Sequence, residues 1–309
     1  MANRAFLFPG QASQYVGMGK DLYERYPLAK EIYEHAGEIL GFDIKEVCFN
    51  GPDDQLKQTR ITQPAIFVHS CIVNRIFGER NFYPDLVAGH SLGEYSALVA
   101  AGSLTFEDGL KAVKRRGELM QQAGKKQPGT MAAIIGLTGE EVVEICQTAS
   151  KAGIVQPANF NSPTQVAISG SVEGVEKAMA IARQRGAKKV VPLVVSGAFH
   201  SPLMESAQKE LKSVLQSLPF KNAAIPVYAN VTANPVTEAD QIRELLFKQL
   251  TFPVRWVETI QNMISKGVSE FYEVGPGKVL SGLVKRIDRK IKTIPIGTVE
   301  EIESLFQQI

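Results

Sequence analysis

The sequence has little of what marks secreted, membrane-spanning or nucleic-acid-binding proteins. Its 309 residues include three cysteines, Cys48, Cys71 and Cys146, whose number and scatter predict neither a disulfide framework nor a metal site. No apolar run approaches the length of a membrane span, and the N-terminal apolar residues meet Pro9 before the core of a signal peptide could form. The net charge of +2 gives no overall field for nucleic acid. We therefore expect a cytoplasmic protein.

What the chain does contain is an alternation of short apolar segments with helical patterns. Ala5 to Phe8 is an apolar run that Pro9 and Gly10 stop, and Leu86 to Ala88 is a second run that ends at Gly89. A helical pattern follows from Leu92 to Ala101. Strands that alternate with helices favour an α/β fold whose mainly parallel sheet is covered on both faces.

The segment from about Lys125 to Val195 has a different order of elements. Its patterns predict strand, helix, two strands, helix and strand, which is the βαββαβ order of a ferredoxin-like unit. We therefore predict a core made of residues 1–125 and 196–309, with an inserted subdomain at 126–195. Linkers are expected at 124–129 and at Ser196–Gly197.

The strongest chemical signal is Gly89-His90-Ser91-Leu92-Gly93, which matches the pattern G-x-S-x-G between a predicted strand and a predicted helix. Glycines at the first and last positions allow a sharp turn that exposes the serine. The start of the helix adds free N–H groups beside its oxygen. We interpret Ser91 as a nucleophile. The alternative is a serine that only caps an ordinary helix.

A serine nucleophile needs a base, and the chain offers four histidines. His35 and His69 lie in helical patterns and are expected to be structural, while the His90 side chain should point away from that of its neighbour Ser91. His200 follows a predicted strand in a loop, where catalytic groups collect, although it could instead cap the next helix. No acidic residue near His200 stands out, so a backbone carbonyl could orient the imidazole.

Arg116 is a candidate for binding a carboxylate. On a helix around Gly109 to Gln121, Arg116 lies about 60° from the centre of the apolar face, whereas Arg115 lies about 160° away and should face solvent. A cation beside an apolar face needs a partner, which a substrate carboxylate could supply through two parallel hydrogen bonds. An internal acid, or a side chain that reaches back to solvent, would also satisfy it.

Five segments in order resemble the malonyl-CoA:acyl carrier protein transacylases: Phe8–Gln11, Gly89–Ala97, Arg116-Gly117, Phe199–Pro202 and Glu273–Gly277. They extend over most of the chain and depart from the family only at Ala12, where we expect glycine. The resemblance implies a hydrolase-like core with a ferredoxin-like insertion, and no cofactor besides the two substrates.

The resemblance also implies roles for matching positions. Ser91 would be the nucleophile and His200 the general acid and base. The backbone N–H groups of Gln11 and Leu92 would form the oxyanion hole, and the Gln249 carbonyl would orient the histidine. Arg116 would pair with the free carboxylate of the malonyl group, and Phe199 would favour malonyl over methylmalonyl. The residues of the substrate site would be Arg116, Met120, Phe199 and Asn161.

The resemblance implies two partners, malonyl-CoA and an acyl carrier protein, and we expect a monomer. Candidate carrier contacts are basic residues before the strand leading to His200 and on the predicted last helix, which also carries Lys290: Lys188, Lys189, Lys285, Arg286 and Arg289. The carrier could serve fatty acid or polyketide synthesis. A serine thioesterase would share Ser91 and His200 without needing Arg116, and a non-catalytic docking module would need none of them. The segment Gly275–Lys278 lacks the spacing of a phosphate loop and predicts a tight turn.

Overall fold

The larger sheet places the candidate site at the ends of its parallel strands. The structure, a computed structural model, describes residues 3–308. In this part of the chain the strand order is β10-β9-β1-β2-β7-β8, and all neighbours are parallel except the last pair. The strands are β1 (Asn3–Phe8), β2 (Leu86–Gly89), β7 (Val227–Tyr228), β8 (Pro235–Val236), β9 (Val268–Val274) and β10 (Lys292–Ile296).

Helices cover both faces of this sheet. Successive side chains of β1 point to opposite faces, and because both sets are apolar, each face needs a cover. Phe6 and Phe8 pack into one apolar core, and Ala5 and Leu7 pack into another. The helices of residues 3–308 are α1 (Lys20–Arg25), α2 (Pro27–Leu40), α3 (Ile44–Asn50), α4 (Asp53–Leu56), α5 (Thr59–Glu79), α6 (Gly93–Ala100), α7 (Phe106–Lys126), α8 (Gly139–Ala149), α9 (Val172–Gln184), α10 (Glu205–Ser217), α11 (Ala239–Gln249), α12 (Trp256–Ser265), α13 (Val279–Ile287) and α14 (Val299–Gln308), with a 3-10 turn at Pro202–Met204. None of them has both the length and the apolar character needed to cross a bilayer.

The smaller sheet is antiparallel, with the strand order β4-β5-β3-β6. Its strands are β3 (Thr130–Ile135), β4 (Val155–Ser162), β5 (Gln165–Gly170) and β6 (Lys189–Leu193). With α8 and α9 they follow the predicted βαββαβ order, so the predicted fold class is confirmed.

The smaller sheet is hydrogen-bonded to the core beside the candidate site. The Phe160 N–H donates to the Val254 carbonyl over 2.9 Å, and the Val254 N–H donates to the Ala158 carbonyl over 2.8 Å. Strand β4 is therefore fixed to the segment that precedes α12.

Three local predictions were wrong. Helix α7 continues through Lys126, into the linker predicted at 124–129, because Gly124 lets the Ser196 backbone pass closely and the terminal lysines favour a helix C-terminus. Arg289 and Lys290 do not share a helix with Lys285, since α13 ends at Ile287. That helix is not the last one either, because β10 and α14 follow.

Candidate active site

Ser91 lies in the sharp turn between β2 and α6 that the sequence predicts. Its φ of 53° is in the left-handed region, which is uncommon for a residue with a side chain. The flanking glycines are required by space: a Cβ on Gly89 would lie 1.9 Å from the Gly93 backbone, and one on Gly93 would lie 2.0 Å from the Phe8 carbonyl oxygen. The turn therefore packs tightly onto the end of β1 and presents the serine hydroxyl.

Ser91 and His200 meet, although 109 residues separate them. The Ser91 Oγ lies 2.8 Å from His200 Nε2. On the other side of the ring, Nδ1 lies 2.8 Å from the Gln249 carbonyl oxygen and 3.2 Å from that of Phe252. Because carbonyl oxygens can only accept, Nδ1 carries the proton and Nε2 is left to accept one from the serine. The partner that orients the imidazole is therefore backbone, the possibility that the sequence left open.

The environment of His200 keeps it neutral. The side chain is buried, and burial, with a smaller contribution from the Arg116 charge, lowers the pKa of His200 to about 3. At neutral pH the imidazole is therefore uncharged, which is the state in which it can accept a proton.

Arg116 is fully buried and points into the site. Its Nη2 donates to Ser91 Oγ over 3.0 Å and to Gln249 Oε1 over 2.9 Å, and its Nη1 donates to Gln63 Oε1 over 2.8 Å. Its Nε has no hydrogen-bond partner in the described chain. Arg115 lies on the partly exposed side, paired with Glu118 and Glu210, so the predicted helical phase is confirmed.

Arg116 has no acidic side chain as a direct partner. None of the ion pairs among residues 3–308 includes it. All three acceptors of its hydrogen bonds are uncharged. The internal acid that the sequence allowed as a direct partner is therefore not found in the described residues. A buried guanidinium with neutral partners next to a hydroxyl suits a site that receives an anionic ligand.

Two backbone N–H groups near Ser91 are free to donate. Within residues 3–308, neither the Gln11 N–H nor the Leu92 N–H has an acceptor. The two turns are held together, since the His90 N–H donates to the Phe8 carbonyl over 3.0 Å and a Cβ on Gly10 would lie 2.4 Å from the His90 carbonyl oxygen. Both donors thus lie in turns that pack against each other at the ends of β1 and β2.

The other three residues predicted for the substrate site differ in burial and in their hydrogen-bond partners. Met120 is buried, and its sulfur accepts from Gln63 Nε2 at 3.3 Å. Phe199 is 6% exposed and precedes His200 directly. Asn161 Oδ1 lies 2.8 Å from His90 Nε2, so this amide oxygen already has a protein partner. His90 therefore turns away from Ser91, as expected.

Two residues under the Ser91 turn are not predicted by the sequence patterns. Asn230, just beyond β7, accepts from the Ser91 N–H over 2.7 Å and donates to the Gly89 carbonyl over 2.6 Å. Glu94 is buried, and its Oε2 accepts from the Asn230 N–H over 3.1 Å and from Gln249 Nε2 over 2.8 Å. Burial raises the pKa of Glu94 to about 7, against the opposing effect of these hydrogen bonds. The sequence signal for Glu94 was a carboxyl side chain within the apolar helical pattern that follows Ser91.

The candidate carrier contacts are exposed and lie in two regions of the chain. Lys188 directly precedes β6, which begins at Lys189. Lys285 and Arg286 lie in the last turn of α13, and Arg289 lies just beyond that helix. Arg286 donates to the side chain of Gln165 on β5, so α13 approaches the smaller sheet. No cluster of three potential metal ligands occurs in residues 3–308.

Comparison with known proteins assigns the chain to a family. The family model for acyl transferase domains matches residues 5–299. The chain belongs to this family. It is 46% identical over 310 residues to the malonyl CoA-acyl carrier protein transacylase of Bacillus subtilis, covering 100% of this chain and 98% of that relative.

Solved structures agree with this acyl transferase assignment. The malonyl CoA-acyl carrier protein transacylase of Coxiella burnetii superposes with a TM-score of 0.96 at 40% identity, covering 99% of this chain and 98% of that one. A malonyl-transacylase solved in complex with its type II PKS acyl-carrier protein superposes with a TM-score of 0.96 at 38% identity, covering 100% of both chains. The hydrolase-like core with a ferredoxin-like insertion is thus the fold of these transacylases.

Proposed function

We propose that this acyl transferase moves a malonyl group from malonyl-CoA to the phosphopantetheine thiol of an acyl carrier protein, through an ester on Ser91. The observation that carries the proposal is Arg116, a buried cation without an acidic partner that donates to the Ser91 hydroxyl. The relatives named above are malonyl transacylases, and one was solved with its carrier protein. We propose that the reaction takes place in the cytoplasm and supplies fatty acid synthesis, with polyketide synthesis as the alternative.

In the first half-reaction, His200 Nε2 takes the proton from Ser91 Oγ as the oxygen attacks the thioester carbonyl of malonyl-CoA. The carbon–sulfur bond then breaks, and the coenzyme A sulfur leaves with the proton that His200 holds. The Gln249 and Phe252 carbonyls accept from Nδ1 throughout, so they stabilise the transient imidazolium. The products are free coenzyme A and malonyl-Ser91.

In the second half-reaction, His200 takes the proton from the carrier thiol, and the sulfur attacks the malonyl ester. The bond between the acyl carbon and Ser91 Oγ breaks, and the serine oxygen recovers the proton from His200. Both steps pass through a tetrahedral oxyanion. The free N–H groups of Gln11 and Leu92 would donate to it, and such preorganised donors contribute several kcal/mol, roughly 3, to transition-state stabilisation. The negative charge of the oxyanion also raises the pKa of the nearby His200, against the effect of burial, so the imidazole can hold the proton that it takes.

Arg116 distinguishes the proposal from hydrolysis by a thioesterase. We propose that the malonyl carboxylate pairs with the guanidinium, which holds the ester while the carrier thiol arrives. A thioesterase acting on uncharged acyl groups would leave this buried cation without an anionic partner, which is unfavourable. The carrier protein, whose acceptor helices we expect to be acidic, would dock on the exposed basic residues at β6 and α13.

The proposal is tested by intact-mass analysis after incubation with malonyl-CoA. We expect one malonyl adduct on the protein, its loss on addition of a phosphopantetheinylated carrier protein, and transfer that is faster than hydrolysis. Ser91→Ala should show no adduct. An adduct of normal stoichiometry in Ser91→Ala would disprove the assignment of the nucleophile, and hydrolysis faster than transfer would favour the thioesterase.

A further inference from the structure

One buried carboxyl next to the site has no role in the chemistry proposed above. Glu94 lies in the first turn of α6, three residues after Ser91, and is 3% exposed. A single oxygen, Oε2, accepts both the Asn230 N–H and Gln249 Nε2. Because the side chain is buried, both of its hydrogen-bond partners are protein groups.

These two partners of Glu94 hold both peptide groups of Ser91. The Ser91 N–H donates to Asn230 Oδ1 over 2.7 Å, and the Ser91 carbonyl accepts from Gln249 Nε2 over 2.9 Å. Ser91 has the left-handed backbone conformation, which a residue with a side chain adopts only when its surroundings fix it. The two amide side chains supply that constraint, and Glu94 links the amide of Gln249 to the backbone N–H of Asn230.

Gln249 extends the same network to the other two groups of the site. Its side-chain Oε1 accepts from Arg116 at 2.9 Å, and its backbone carbonyl accepts from His200 Nδ1 at 2.8 Å. An amide can rotate by half a turn and exchange its oxygen and nitrogen. In this amide, a rotated form would place Nε2 against the Arg116 donors and Oε1 against the Glu94 oxygen. The Glu94 oxygen therefore determines which way Gln249 points, together with the Ser91 carbonyl and the Arg116 donor.

We infer that Glu94 is a positioning residue, whose carboxyl oxygen fixes the Gln249 amide and, through it, the geometry of Ser91 and Arg116. The inference rests on the proposed function, because that geometry matters only if Ser91 reacts. Displacement of a reacting group by about 1 Å can slow an enzyme on the order of 100-fold. Glu94 thus acts on the rate without touching the substrate.

The structure also says which property of Glu94 is needed. One oxygen at the end of a two-carbon side chain takes both hydrogen bonds, so reach and an acceptor are required. Glutamine has the same reach and one acceptor oxygen but no charge. Aspartate has the charge but is shorter by one methylene group. We therefore expect Glu94→Gln to rescue the function that Glu94→Asp loses.

The measurement is the single-turnover rate of Ser91 malonylation, followed by rapid quenching and intact mass. We expect Glu94→Gln to remain within about threefold of the wild-type rate and Glu94→Asp to be slower by about tenfold or more. Gln249→Met, which keeps the backbone carbonyl but removes the amide, should be slowed as much. In the Gln249→Met background, Glu94→Asp should add less than about twofold, because both changes remove the same contact.

Circular dichroism and thermal melting would show that each variant is folded. The inference is overturned if Glu94→Asp reacts at the wild-type rate, if Glu94→Gln is as slow as Glu94→Asp, or if the effect of Glu94→Asp is undiminished in Gln249→Met. If Glu94→Asp does not fold, a wild-type rate in Gln249→Met overturns it instead. A wild-type protein that forms no malonyl adduct would refute the proposed function, whereas a normal adduct with equal rates in all variants would refute this inference alone.

Discussion

Replacing Arg116 by alanine should remove the selectivity for a carboxylated acyl group. A desolvated charge pair with the malonyl carboxylate contributes about 2–5 kcal/mol. In the free protein the guanidinium already donates to Gln63, Gln249 and Ser91, so the carboxylate replaces part of an existing network. The lower part of that range, about 2–3 kcal/mol, is therefore expected. It corresponds to a loss of about 30- to 200-fold in kcat/KM for malonyl-CoA.

Acetyl-CoA has no carboxylate and leaves Arg116 with its neutral partners only. Arg116→Ala should therefore not lower the rate with acetyl-CoA to the same extent, and the malonyl-to-acetyl ratio should fall. The assay is competition between the two thioesters for the protein, with the adducts separated by mass. Thermal melting is needed beside it, because the substitution also leaves a cavity and the side-chain oxygens of Gln63 and Gln249 without a donor.

Arg115→Ala is the matched control for this experiment. Arg115 is the neighbouring residue on the same helix, and its partly exposed pairs with Glu118 and Glu210 are worth at most about 1 kcal/mol. The malonyl-to-acetyl ratio of the Arg115→Ala variant should stay at the wild-type value. The reasoning is refuted if Arg115→Ala collapses the ratio while Arg116→Ala preserves it. If neither variant changes the ratio, the carboxylate is bound elsewhere.

Four further predictions concern the base, its ionisation, the acyl pocket and the carrier surface. His200→Ala should slow acylation and deacylation alike, on the order of 100-fold or more, in separate single-turnover assays; the same loss in His90→Ala alone would show that the wrong histidine was chosen. Because the pKa of His200 is lowered to about 3, the base stays neutral as the pH falls through 6.5, so the acylation rate should persist at pH 5; a decline with a midpoint near 6.5 would contradict this. Phe199 should favour malonyl-CoA over methylmalonyl-CoA by about 1–3 kcal/mol, and equal rates with the two thioesters would exclude that role. Reversing the charges of three basic residues should raise the KM for the carrier protein in a salt-dependent way and leave hydrolysis of malonyl-CoA unchanged, whereas an unchanged KM would make them ordinary surface; they are Lys285, Arg286 and Arg289.

The sequence predicted those parts of the site that local patterns determine. The G-x-S-x-G turn followed from its glycines and flanking elements, and the burial of Arg116 followed from helical phase alone. The choice of His200 among the four histidines followed from its position in a loop after a predicted strand. Each of these depends on neighbours along the chain or on a single helix face.

The network beneath the serine could not be predicted in this way. Asn230 reaches Ser91 because β7 lies next to β2, and strand order is a property of the whole sheet. An acidic residue such as Glu94 is common in the first turn of a helix. It becomes unusual only once the helix is known to be buried. The C-terminal strand β10 was missed because charged residues and Pro295 interrupt its apolar pattern, as is common for an edge strand.

The backbone carbonyl that orients His200 has a consequence for mutational searches of this site. Where an aspartate orients the histidine, replacing that aspartate lowers the activity and so identifies the third member of the triad. Here every side-chain substitution at Gln249 keeps the carbonyl, so an alanine scan would test the Gln249 amide but not the carbonyl that orients the histidine. Chemical replacement is needed instead: an ester bond between residues 249 and 250 would make that carbonyl a weaker acceptor without changing any side chain. An orienting group carried by the backbone is thus protected from point mutation as long as the end of α11 keeps its place.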